Sequence, residues 1–366
     1  VRPPIPDEVG PSEPARRVGL PDNPWNRRRI VRGLWLFVAL TVAGFLVLFA
    51  RGTLRTSLGA LTALHPVAVL VGSAQVLADL GLGGLRIWAC MRALGARVGL
   101  GACTGSNAAN VFLGGVTPSQ SGGGPAQIYI LMRAGLSFSV ATVASGCTFA
   151  GTTVVFLLLA LHLTLSGSAR HLGAGLKIFS GASMVIFAIL LALCILGLTR
   201  PSLFRIALRR HLGRLPRFGA RLQRSHALYR VEMLLIDYAH LLGAAGRRGK
   251  RWLAAALGLS GLIYLNKLLV AWVVLRGLGL EADVRQVLRL QELQYLVLYF
   301  APTPGASGLA EISGGEIMKP LVPAADLGAY LLVWRTFTLY LGMLLGGLVL
   351  MRSVAGESHA RTRPPR

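Results

Sequence analysis

No Asp, Glu, Lys or Arg occurs between Ala134 and Ala169, and a stretch like that limits the possible folds more than any motif within it. A soluble surface needs charge, about a quarter of all residues. A bilayer core about 30 Å thick is crossed instead by roughly 20 consecutive apolar residues in a helix. Six segments meet that second requirement: 30–50, 64–85 interrupted by Asp79, 140–165, 178–199, 252–275 holding Lys267, and 327–351 holding Arg335. With 54% hydrophobic and only 14% charged residues, the chain cannot cover a water-facing surface. The pattern predicts an all-α polytopic membrane protein of about six transmembrane helices and excludes a soluble globular fold.

Two further segments are apolar but poorly made for crossing. Residues 98–132 carry no charge, yet hold eight glycines and two prolines. Residues 295–318 break at Ala301-Pro302-Thr303-Pro304-Gly305-Ala306-Ser307-Gly308. Irregular backbone survives at membrane depth only where protein or a water-filled cavity surrounds it, so both read as re-entrant helical hairpins, full spans being the alternative. The two breaks share the pattern T-P-x-x-S-G, at Thr117 to Gly122 and Thr303 to Gly308, offset by 186 residues. Segment 64–85 maps onto 252–275, and 140–165 onto 327–351, at nearly the same offset. Three crossings and one hairpin per half make an inverted internal repeat, the architecture of many transporters. The halves run over about 30–170 and 176–351.

Loop charge orients this arrangement. With the N-terminus inside, the cytoplasmic segments collect 28 basic residues, Arg86, Arg92, Arg97 and Arg133 among them, against 5 in the outer loops. That asymmetry follows the positive-inside rule. It predicts a multi-pass inner-membrane protein with both termini in the cytoplasm. A Pro-rich polar tail over 1–29 is expected to be disordered and to contain no signal peptide. The membrane domain follows over 30–351, then a short tail over 352–366. Within the basic loop 200–251, Leu222, Val231, Leu234, Leu235, Tyr238, Leu241 and Leu242 fall largely at helical spacing with arginines among them. This stretch is expected either to lie against anionic lipid or to be a solvated, topology-setting loop. The formal charge of +24 is thus explained by orientation, and nucleic acid is not an expected partner.

Other chemistry is absent from the sequence. Cys90, Cys103, Cys147 and Cys194 lie in apolar stretches without C-x-x-C spacing, and the seven histidines form no metal-binding pair. No nucleotide-binding glycine loop is present, and no cofactor is expected. The charges at membrane depth are functional candidates by default: Asp79, Lys267, Glu292, Glu311 and Arg335. Each also has a plainer reading. Glu311 suits the first turn of a helix, Lys267 can reach an interface, and Asp79 can pair with Arg335, for which Glu311 is another partner. No histidine is expected beside the buried acids. The half-helices that start after Ser121-Gly122 and Ser307-Gly308 would turn their positive ends toward a phosphate or carboxylate.

The run Asn110-Val111-Phe112-Leu113-Gly114-Gly115-Val116-Thr117-Pro118-Ser119-Gln120-Ser121-Gly122-Gly123-Gly124-Pro125-Ala126-Gln127-Ile128-Tyr129 resembles one signature of the lysylphosphatidylglycerol synthase transmembrane, or flippase-like, family. Phe300-Ala301-Pro302-Thr303-Pro304-Gly305-Ala306-Ser307-Gly308-Leu309-Ala310-Glu311 is similar to its other signature, and Arg335 fits an arginine in the last span. The resemblance implies a lipid translocase, acting on a membrane phospholipid or polyprenyl-linked lipid. A stand-alone membrane domain, without the soluble aminoacyl-transferase part of the bifunctional members, is expected. The expected substrate-binding set is Asp79, Thr117, Ser121, Gly122, Gln127, Thr303, Ser307, Gly308, Glu311 and Arg335. Thr117, Ser121, Thr303 and Ser307 would give polar contacts and Arg335 would hold the phosphate. Asp79 and Glu311 would balance a cationic group or move with a proton. Two alternatives remain: a non-catalytic membrane subunit that docks a lipid synthase or glycosyltransferase, and a membrane-embedded lipid-modifying enzyme. The second is the weaker, since the acids are scattered.

Overall fold

A computed structural model describes residues 64–166, 174–199 and 249–361, together with isolated positions between 31 and 59 and between 241 and 247. The expected first span over 30–50 and the amphipathic stretch of the basic loop lie, but for such positions, outside the described residues. Every described element is helical. Helices α1 (Pro66–Ala93), α2 (Leu100–Val116), α3 (Gly123–Arg133), α4 (Phe138–Leu165) and α5 (Ala174–Thr199) make the first series. Then follow α6 (Lys250–Gly277), α7 (Val284–Tyr299), α8 (Leu309–Met318), α9 (Leu327–Arg335), a π-helical turn (Thr336–Tyr340) and α10 (Leu341–Arg361). Five stretches are long and apolar enough to cross a membrane: Pro66–Ala93, Phe138–Leu165, Ile178–Leu196, Lys250–Gly277 and Leu327–Arg352. They correspond to the five expected spans within the described residues. Their outward faces carry large apolar side chains such as Leu70, Leu77, Leu158, Ile178 and Leu262, as lipid contact requires.

Local chemistry sets where the helices begin. Pro66 supplies a preset φ at the start of α1, and the His65 ring accepts from Val67 N at 3.3 Å. Ser137 Oγ accepts from Val140 N at 3.3 Å to open α4, and Asp283 caps α7 through Gln286 N at 3.3 Å.

The two broken segments are hairpins. Helices α2 and α3 flank a 3₁₀ turn at Pro118–Gln120, and α7 and α8 flank one at Pro304–Ala306. The turns share a pair of left-handed residues and diverge just after it, where Ser121 is helical and Ser307 extended. Ser119 and Gln120 sit at φ 50° and 56°, Gly305 and Ala306 at 55° and 56°. The two turns pack against each other, so the hairpins meet tip to tip. The second hairpin starts earlier than the apolar pattern indicated. Its first arm is Val284–Tyr299, which carries Arg285, Arg289 and Glu292.

The halves are related by an approximate two-fold. Helices α1 and α6 each have 28 residues, and α6 begins 184 residues after α1. They pack antiparallel along their whole length. His65 N donates to Gly277 O at 2.9 Å at one end, while Gly249 lies against Ala93 at the other. The second contact is the first one moved on by 184 residues with the helices exchanged. Between these ends, Asn266 Nδ2 donates to Gln75 O at 2.9 Å and Gln75 Nε2 to Asn266 O at 3.4 Å. Glycine makes this close approach possible: a Cβ at Gly277 would overlap the Ala68 methyl, and one at Gly249 would lie 2.6 Å from Ala93 O. Without a hydrophobic force between helices in lipid, such small-residue packing is what joins them.

Candidate functional site

A cavity of about 780 Å³ opens where the hairpin tips meet. At 1.5 Å per residue α1 is about 42 Å long, and Asp79, on the cavity wall, lies near its middle. Thr148 and Thr152 come from the middle of α4, Lys267 and Tyr264 from the inner part of α6, and Arg335 from the last span. The cavity therefore sits at mid-depth of the spans that surround it.

Four charged side chains reach the cavity wall: Asp79, Arg86, Lys267 and Arg335. Lys267 Nζ donates to Asp79 Oδ2 at 2.8 Å, joining α1 and α6. That corrects two readings: Asp79 does not pair with Arg335, and Lys267 does not extend to an interface. Arg335 pairs with Glu311, its Nε 2.9 Å from Oε1, an ion contact rather than an aligned hydrogen bond. Both side chains are buried, at 3% and 0% exposure. Arg335 Nη2 also donates to Gly305 O at 2.9 Å, so the last span holds the second hairpin at its tip.

Glu311 has a further task. Its Oε2 accepts from Gly308 N at 2.7 Å, which caps α8. The positive end of this half-helix thus meets a carboxylate of its own chain, not the cavity. The first tip is fastened differently. Thr117 Oγ1 donates to Leu113 O at 2.6 Å and accepts from Gly122 N at 2.8 Å. Thr303 Oγ1 donates to Ser307 O at 2.9 Å.

Of the ten residues expected to bind substrate, Asp79, Gln127 and Arg335 are on the cavity wall. Gln127 is locked there: its Oε1 accepts from Asn110 Nδ2 at 3.0 Å, and its backbone carbonyl from Ser106 Oγ at 3.0 Å. Thr117, Gly122, Thr303, Ser307, Gly308 and Glu311 are off the wall and shape or tie the two tips, while Ser121 is exposed beside the first turn and closes it through its backbone N–H to Pro118 O. Ser307 is buried beneath Arg335, with its Oγ 3.5 Å from Nη2.

Nothing in the apolar pattern marks Arg86 as a residue of the cavity. The apolar pattern ends α1 at Leu85 and assigns Arg86 to a cytoplasmic loop, but the helix continues to Ala93. Arg86 Nη1 donates to Thr152 Oγ1 at 3.1 Å and approaches Ser260 Oγ at 3.5 Å. Among the described residues no carboxylate lies within ion-pairing distance of it. Aromatic residues on the wall also escaped notice. Phe156 packs edge-on to Tyr264 at 5.0 Å, Tyr264 to Tyr295 at 6.4 Å, and Tyr295 to Trp334 at 6.3 Å. The absence of histidine beside the buried acids is also corrected. His162 Nδ1 lies 2.8 Å from Glu292 Oε2, linking α4 to α7. Among the described residues no cluster of three or more His, Cys, Asp or Glu is arranged to hold a metal ion.

A family model described as the lysylphosphatidylglycerol synthase TM region matches residues 34–346. None of the curated proteins gives a significant match to the chain.

Proposed function

The chain belongs to the lysylphosphatidylglycerol synthase transmembrane-region family, and from that premise we propose that it is a lipid translocase of a bacterial inner membrane, a transporter and not an enzyme. The observation that carries this reading is the cavity of about 780 Å³ at the meeting of two re-entrant hairpins. A lipid crossing between leaflets must bring a polar headgroup past the hydrocarbon core, and ionisable groups at that depth are costly unless they serve a path. Here Asp79, Arg86, Lys267 and Arg335 surround one mid-depth space, walled by the amide and hydroxyl groups of Gln127, Thr148 and Thr152. The substrate is a membrane phospholipid or polyprenyl-linked lipid, and Asp79, Gln127 and Arg335 border its headgroup. Thr117, Ser121, Gly122, Thr303, Ser307, Gly308 and Glu311 keep the tips in place around it. No cofactor is needed by this reading. A neighbouring lipid synthase or glycosyltransferase would supply or consume the lipid. Both termini face the cytoplasm, so the first hairpin enters from the cytoplasmic side and the second from outside.

Leaflet exchange in proteoliposomes tests this. Vesicles of native lipid extract carrying acyl-chain-labelled reporters are compared for the wild-type chain and Arg86→Gln. We expect exchange by the wild type and at least a tenfold slower rate for the variant. Folded wild-type protein that moves no lipid would reject the translocase, and an unchanged rate in Arg86→Gln would reject this cavity as the path.

A further inference from the structure

The charges and free donors of the cavity point to the class of headgroup it accepts. Resting on the translocase reading, we propose that the lipid is an anionic phosphodiester whose remaining headgroup is uncharged and hydroxyl-bearing, such as glycerol, inositol or a sugar, and that Arg86 seats the phosphate. Three cations, Arg86, Lys267 and Arg335, and one acid, Asp79, reach the wall. Asp79 is engaged by Lys267 at 2.8 Å. Glu311 stands behind the wall, and its two oxygens are taken up by Arg335 and Gly308 N. With Arg335 paired to Glu311 and Lys267 to Asp79, the charge of Arg86 is left over. A cationic headgroup would meet that charge and one wall carboxylate already shared with Lys267, only its Oδ1 still open, and like charges placed together repel.

Arg86 is the cation with capacity left. Its Nη1 meets only the hydroxyls of Thr152 and Ser260, and its Nε–H is buried without an acceptor among the described residues. A guanidinium presents a planar fork of donors that matches a phosphate. Two more donors await acceptors: Trp334 Nε1, on a side chain only 1% exposed, and the Tyr295 hydroxyl, both buried and unpaired among the described residues. Both residues line the cavity. Buried polar groups are normally satisfied, and an indole N–H can only donate, so Trp334 calls for a ligand rich in acceptors. Hydroxyl and phosphate oxygens fit, whereas an ammonium group has no acceptor to offer. The aromatic wall of Phe156, Tyr264, Tyr295 and Trp334 would by itself suit a quaternary ammonium. The unpaired positive charge of Arg86 decides against that.

The test compares headgroups in the same vesicles with the full chain. Acyl-chain-labelled phosphatidylglycerol, phosphatidylinositol, phosphatidylethanolamine, phosphatidylcholine and lysylphosphatidylglycerol are followed, with a labelled polyprenyl-phosphate sugar as a separate arm. We expect at least tenfold faster exchange for the polyol or sugar lipids than for any amine-bearing one. The fastest arm then separates a glycerophospholipid from a lipid-linked sugar. Tyr295→Phe removes one donor and keeps the ring, and Trp334→Phe removes one donor and keeps a smaller aromatic ring. Each is expected to slow the favoured lipid several-fold and to narrow its lead over the amine lipids. If Trp334→Phe fails to fold, Tyr295→Phe carries this arm alone. Exchange of an amine lipid as fast as the polyol lipids overturns the headgroup class but leaves the translocase standing. A Tyr295→Phe variant with unchanged exchange overturns the donor assignment. Folded protein that moves none of the lipids overturns both readings.

Discussion

Arg335 and Glu311 are more deeply buried than any other charged pair described, and each keeps the other affordable. Removing one partner leaves an uncompensated charge in a low-dielectric interior, a loss of about 3–5 kcal/mol. Arg335→Ala should therefore lower the thermal midpoint in detergent micelles sharply, and Glu311→Gln rather less, since the amide can still accept from Gly308 N. The double variant should lose less than the two singles added together, as expected for residues in contact; strictly additive losses would refute a coupled pair. The identities of these residues were readable in the sequence, because a charge inside an apolar span stands out. Their pairing was legible in part: Glu311 stood among the partners expected for Arg335, but nothing joined Asp79 to Lys267. Asp79 and Lys267 are 188 residues apart in the chain, and no local spacing favours that pair over Asp79 with Arg335. Arg86 was hidden for another reason. It looks like the first basic residue after a span, and only the extra turns of α1 to Ala93 bring it inside.

At the level of elements, α1 and α6 form the seam on which the two halves are built, and glycine sets its spacing. Gly277→Leu should force the helices apart at Ala68, and Gly249→Leu should do the same at Ala93. Overpacking of this kind costs typically 1–3 kcal/mol. Because the two contacts are equivalent under the two-fold, the variants should have similar effects, read as the loss of monodisperse protein on heating. A tolerated leucine at either position would argue against the seam. The hairpin tips allow a second test. Ser119 has φ 50°, a region costing a side chain roughly 1–2 kcal/mol. Ser119→Gly should hold or raise the midpoint, and Ser119→Pro, whose ring fixes φ near −65°, should lower it; the reverse order would contradict this turn. The tips and the repeat were legible from the paired T-P-x-x-S-G runs, since proline and glycine mark breaks directly. The first arm of the second hairpin was not. Arg285, Arg289 and Glu292 interrupt its apolar pattern, and its buried face includes Gln291 and Gln294, polar residues that hydropathy counts as surface.

For the whole molecule, the proposed orientation makes a topological prediction. In a variant with all four native cysteines replaced, Arg97→Cys and Ala134→Cys, both at exposed positions, should react with an impermeant maleimide only from the cytoplasmic side. Glu281→Cys and Lys319→Cys, also exposed, should react only from the outer side. Labelling of all four from one side would remove the inverted arrangement. The two like hairpins also differ in how they are anchored. The second tip is bolted to the last span through Arg335 and Gly305, and its turn is buried. The first tip closes on itself through Thr117, and Pro118, Ser119 and Gln120 are exposed. The arm beneath that first tip is held as well, since α2 packs against α10 with Gly346 close to Ala108. One duplicated pattern thus gives the space between the hairpins two unlike rims, the second of buried backbone tied to the last span, the first of exposed side chains.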